Sequence, residues 1–133
     1  MRNSSQQGFT LIELLITVAI VAIIAAVAVP SYRQHVIRAN RAAAKEAMMD
    51  IANRQQQFLL ANRSYADKDA LEDAGYTLPE QVSRNYTWTM GPIDGVTRPS
   101  FEITFTPIGS QAVDEAITLD SQGNKAPAEK WAR

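Results

Sequence analysis

The 133-residue sequence has no cysteine, one histidine (His35), six glycines and six prolines. Without cysteine neither a disulfide framework nor a thiolate metal site can form, so the fold must hold by packing alone. A single imidazole, with no thiol and no G-x-S-x-G turn, leaves nothing from which to build a histidine metal site or a nucleophile–base pair. No enzyme, cofactor or metal is therefore expected. The formal net charge of −1 supplies no global field for nucleic acid or for an acidic ligand. Glycine is missing between Gly8 and Gly75, and Pro30 is the only proline before Pro79. Helix is therefore expected from Phe9 to about Asn62. A kink is expected at Pro30, whose ring lacks an N–H and crowds the carbonyl of Ala26.

What is present in quantity is one apolar run. Among the 21 residues from Phe9 to Val29 only Thr10, Glu13 and Thr17 are polar. At about 1.5 Å per residue this is roughly 31 Å of helix, a full hydrocarbon core. A carboxylate inside such a run needs a reason, and three readings compete. An ordinary secretory signal, with Ala26-x-Ala28 as its cleavage pattern, would discard Glu13 and release a periplasmic binding or enzymatic domain. A plain membrane anchor would leave Glu13 as an unexplained cost. Cleavage after Gly8 makes the carboxylate useful: the new α-amino group of Phe9 lies one turn from Glu13. In low dielectric each charge supplies the other's partner, within one chain or between two. This third reading is preferred. Arg33, Arg38, Arg41 and Lys45 follow the run closely, and the positive-inside tendency alone would place the remainder in the cytoplasm.

From Ser31 to Asn62 the composition favours helix, with Ile37, Ala44, Met48, Ile51 and Phe58 near one face and Lys45, Asp50 and Arg54 away from it. The arginines at 33, 38 and 41 read as a solvated face rather than a lipid or DNA contact, and Met48-Met49 as core filler. The stretch 62–81 reads as a loop with a short helical turn. Its Asp67 and Asp69 fail the calcium-loop pattern, because Leu71 stands where a third oxygen ligand is needed. Tyr86, Trp88 and Met90 alternate with threonines, as do Phe101, Ile103 and Phe105 with polar residues; Ile117 and Leu119 make a third strand before a turn at 121–124. An antiparallel meander packed on the helix stripe follows, its aromatics in the core rather than stacked on bases. The loop 91–99 is a candidate contact surface.

Gly8, Phe9, Thr10, Leu11, Glu13, Pro30 and Tyr32 resemble the N-terminal motif of the type IV pilin and pseudopilin family. The stretch 52–67 is similar to PilE-like minor pilins. The resemblance implies an α+β fold with a long N-terminal helix on a small antiparallel sheet. It divides the chain into a leader (1–8), a transmembrane or filament-core helix (9–30) and a globular periplasmic or extracellular domain (31–133). It implies cleavage between Gly8 and Phe9 by prepilin peptidase, N-methylation of Phe9, and docking of Glu13 on a neighbouring Phe9. Residence would be single-pass in the inner membrane, then in a surface pilus with other pilins. The implied function is that of a minor pilin in assembly, twitching motility, adhesion or DNA uptake, with nucleic acid a possible partner that no residue pattern supports. A type II secretion pseudopilin and a major pilin are the alternatives. Pilins usually close the C-terminal region with a disulfide; here Trp131 is expected to hold the tail instead.

Overall fold

The computed structural model describes residues 8–92 and 97–132. The expected leader, apart from Gly8, and positions 93–96 of the candidate contact loop lie outside the described residues.

Helix α1 spans Leu11–Asn62 and includes Pro30. Two compact units share it, 1–36 and 37–133. In the first unit apolar side chains face outward all round the helix; Phe9 is 84% exposed and Ile23 69%. Such a surface is stable only against lipid or other apolar helices.

In the second unit α1 continues and stops at Asn62 without a glycine. Arg63 takes the left-handed conformation, φ 60°, and its N–H donates to the Leu59 carbonyl at 2.8 Å. A side chain there costs about 1 kcal/mol. Arg63→Gly is therefore expected to stabilise this unit by about 0.5–1 kcal/mol, read from the denaturation midpoint. Gln55, fully buried, then fastens the returning chain: its Oε1 accepts from the Ala66 N–H at 2.9 Å and its Nε2 donates to the Ala66 carbonyl at 2.7 Å.

Helix α2 (Lys68–Asp73) starts on Asp67, whose side chain accepts from the Ala70 N–H at 2.8 Å. Asp67 is thus a helix cap, which is the job an aspartate at a turn commonly has. Helix α3 (Glu80–Ser83) leads into β1 (Tyr86–Gly91), β2 (Glu102–Pro107), β3 (Ile117–Asp120) and β4 (Lys125–Ala126), and α4 (Ala128–Trp131) follows. The strands form one antiparallel sheet in the order β1-β2-β3-β4. Trp88 faces Phe105 across the first pair, and Phe105 faces Ile117 across the second. This period-two register puts Tyr86, Trp88, Ile103, Phe105, Ile117 and Leu119 in one core with Ala44, Ala47, Met48 and Ile51 of α1. The aromatics are therefore packing residues, as their alternation with threonine predicts. A fourth strand, of two residues, closes the meander after the Ser121–Asn124 turn. Asp120 holds that turn by accepting from the backbone N–H groups of Gln122 and Asn124.

Candidate functional site

Sequence and structure together mark two places where polar chemistry is set against its surroundings: the start of α1 and a buried cluster under the C-terminal segment.

At the start of α1, Gly8 and Phe9 are exposed, and Glu13 lies in the first turn. Thr10 Oγ1 accepts from the Glu13 N–H at 3.3 Å. Thr10-Leu-Ile-Glu13 is thus the sequence form of a capping box, a local signal for the helix start that complements the charge reading. The hydroxyl of Thr17 donates to the Glu13 carbonyl at 2.7 Å, so this polar side chain is satisfied inside an apolar helix. The Glu13 carboxylate has no hydrogen bond or ion pair among the described residues. It sits near the positive end of the helix dipole on an otherwise apolar surface, available to a cation from outside.

The second cluster was not visible in the sequence. A 3-10 turn, Gly109–Val113, carries Gln111 beneath the sheet, and Asp114 follows it. The Asp114 side chain is 1% exposed and receives the Arg41 guanidinium on both oxygens, at 2.7 and 2.6 Å. Lys130 of α4 approaches the same carboxylate at 3.2 Å. Gln111 Nε2 donates to the Ile37 carbonyl and to the Tyr86 hydroxyl, each at 3.0 Å, while its Oε1 accepts from Asn40 at 3.2 Å. Burial pushes the Asp114 carboxyl up, but hydrogen bonds from Arg41, the Glu115 backbone and Lys130 outweigh it, leaving the pKa below the ordinary value. Burial likewise raises the Tyr86 hydroxyl, and raises that of Tyr76 to about 12, so both stay neutral.

This cluster corrects the assignment of Arg41 to a solvated face: it is an anchor whose partner is 73 residues away. Arg33 and Arg38 are exposed as expected, and His35 between them is exposed too. Lys45, expected away from the packed stripe, is half-buried instead, its ammonium 5.8 Å from the Trp131 ring centroid. Trp131 packs on the core, donates Nε1–H to the Ala126 carbonyl at 3.3 Å and has the Lys125 ammonium 5.0 Å from its ring centroid. It shares the work of holding the tail with the Lys130–Asp114 pair. Trp131→Ala is expected to cost about 2 kcal/mol, half of a fully buried aromatic, and to open the tail to protease. An unchanged melting temperature with an unchanged digestion pattern would show that Trp131 holds nothing.

An outward-facing apolar helix bearing one carboxylate, continued by a helix packed on a four-stranded antiparallel meander, defines a type IV pilin. Residues 30–120 match the family model described as "Type IV minor pilin ComP, DNA uptake sequence receptor", and residues 3–29 match the prokaryotic N-terminal methylation motif. The chain belongs to this pilin family. The fold is that of a solved type IV pilin from Shewanella oneidensis, with a TM-score of 0.55 at 20% identity over 73% of this chain and 99% of that one. Among relatives, the type IV wide pilus major component PilA4 of Thermus thermophilus is 41% identical over 70 residues, 53% of this chain and 52% of that protein. A fimbrial protein of Pseudomonas aeruginosa is 35% identical over 77 residues, 55% of this chain and 50% of that protein. The type IV major pilin protein PilE1 of Neisseria gonorrhoeae is 60% identical over 37 residues, 28% of this chain and 22% of that protein. The chain thus spans about half the length, or less, of these relatives. The methylation motif and the pilin relatives fit processing by prepilin peptidase and assembly with other pilins, and the apolar helix fits membrane anchoring.

Proposed function

We propose that the chain is a minor pilin of the type IV pilus that serves DNA uptake. Prepilin peptidase cuts between Gly8 and Phe9, and Phe9 is N-methylated. The helix 9–30 holds the subunit in the inner membrane until Glu13 docks on the Phe9 amine of a neighbouring subunit in the pilus. Pro30 kinks the helix where the globular domain begins. The observation that carries the uptake reading is the match of residues 30–120, nearly all of the globular part, to a minor-pilin family described as a receptor for DNA uptake sequences. The lack of cysteine supports a minor role, since the shaft of a pilus bears shear and this chain has no covalent closure.

Deletion of the gene is expected to abolish uptake of labelled DNA while surface pili remain visible. The purified full chain is expected to bind duplex DNA with affinity that falls as salt rises, the mark of phosphate contacts. The relatives named as major pilins favour a second reading, in which the chain builds the shaft itself. Loss of all pili on deletion would establish that reading. Intact pili with blocked secretion of a reporter protein would point instead to a secretion pseudopilin.

A further inference from the structure

Among the described residues four cations lie over aromatic rings, and they divide into two kinds. Arg54 stands 5.1 Å from the Tyr76 ring centroid and is paired with Asp50 at 3.1 Å. Lys68 stands 4.9 Å from the Trp88 centroid, with Glu72 at 3.8 Å. Each of these charges is answered beside its ring. Lys45 and Lys125 share a third ring, that of Trp131, and neither ammonium has an ion pair or hydrogen bond among the described residues. The carboxylates of this corner are engaged elsewhere: Asp114 by Arg41 and Lys130, Glu115 by Lys130. Glu129 of α4 is exposed and pairs with neither lysine.

A lysine laid along an indole, or placed on an edge strand such as β4, is common on a solvated surface. Neither habit accounts for two unanswered like charges gathered at one ring from the middle of α1 and the end of the sheet. Burial, and then the charges of Arg41 and Lys125, lower the Lys45 pKa, so the fold leaves a repulsion that a bound anion would relieve. An ammonium is a compact point charge with three donors, suited to phosphate oxygens. Trp131 is half-buried and its Nε1–H is tied to the Ala126 carbonyl at 3.3 Å, which makes the ring a floor rather than a platform for bases. We propose that Lys45 and Lys125 form a clamp for the phosphodiester backbone of duplex DNA, each ammonium neutralising one phosphate above the Trp131 ring. The clamp rests on the uptake reading given above and gives the DNA a place on the subunit. It positions the duplex without reading its sequence.

The test is a titration of the purified full-length chain in nonionic detergent against two duplexes of unrelated sequence, at several salt concentrations. Lys45→Gln and Lys125→Gln are each expected to lower affinity about five- to tenfold at 0.1 M salt and to reduce the slope of log K against log salt by about one, equally for both duplexes. Lys45→Arg and Lys125→Arg keep the charge and are expected to keep the slope. Lys68→Gln removes a ring-stacked lysine that has its own acid, and is expected to change neither quantity. Circular dichroism checks that each variant is folded; Lys125, fully on the surface, carries the test alone if Lys45→Gln does not fold. Wild-type binding with the slope unchanged in both glutamine variants, an equal loss in Lys68→Gln, or a loss confined to one duplex would overturn the clamp. So would release of Lys45→Gln and Lys125→Gln from vesicles of anionic lipid with DNA binding intact, which would make the patch a lipid contact. If the unsubstituted chain binds neither duplex, the uptake reading fails first, and the clamp with it.

Discussion

Glu13→Ala is expected to leave the subunit in the membrane and out of the pilus, with incorporation reduced to the background of a deletion strain. The apolar run becomes more lipid-compatible by this change, so insertion and cleavage after Gly8 are expected to proceed normally. In the proposed docking, what disappears is the counter-charge for the α-amino group of the neighbour, which would then enter an apolar environment unpaired. Glu13→Gln is expected to behave similarly, because an amide keeps the shape but not the charge, and Glu13→Asp to restore part of the incorporation. Intact mass and N-terminal sequencing of membrane-extracted protein check the processing arm: a chain beginning at methylated Phe9 is expected for all three variants. Immunoblots of sheared pili check the assembly arm. Normal incorporation of Glu13→Ala would show that the carboxylate does not register subunits. A native chain beginning at Val29 would show that Glu13 leaves with an ordinary signal peptide.

Asp114→Ala is expected to lower the stability of the globular unit by about 3 kcal/mol, the usual range for removing one partner of a buried pair. The loss is large because three groups depend on this carboxylate. Arg41, Lys130 and Gln111 all reach it, from α1, α4 and the 3-10 turn. Lys130→Met removes only the partly exposed member and is expected to cost about 1 kcal/mol or less. The two results together separate the role of the buried carboxylate from that of the tail. A pH dependence follows with a definite sign. The folded Asp114 pKa lies below its ordinary value, so the stabilisation is present at neutral pH and is lost as pH falls through the folded value, below about pH 4. Asp120 contributes in the same direction, since side-chain and backbone donors from the 122–124 turn outweigh its burial and hold its pKa down. Acid denaturation of the wild type should therefore steepen below about pH 4, and the Asp114→Ala curve should be flatter there. Parallel acid curves would show that Asp114 is not the group being titrated.

The N-terminal motif and the helix could be read from the sequence because both are local. The 21-residue apolar run, the boundary at Gly8, the carboxylate at Glu13 and the long gap without glycine are properties of neighbours along the chain. The Thr10 cap, which accepts the Glu13 N–H, was equally local. Strand alternation fixed which faces of β1, β2 and β3 are buried, since a side-chain period of two leaves one inward choice once the apolar residues are named. The buried cluster around Asp114 followed other rules. Arg41 looks like any helix-surface arginine until the meander returns Asp114 to it from 73 residues on, and Gln111 looks like a loop residue until it is buried. Arg63 ends the helix where a sequence reader would look for glycine. Local signals decide which segments are helical, extended or lipid-facing, because backbone geometry and hydration act over one or two turns of chain. Which isolated charges become partners is decided only when folding closes the long loops between them.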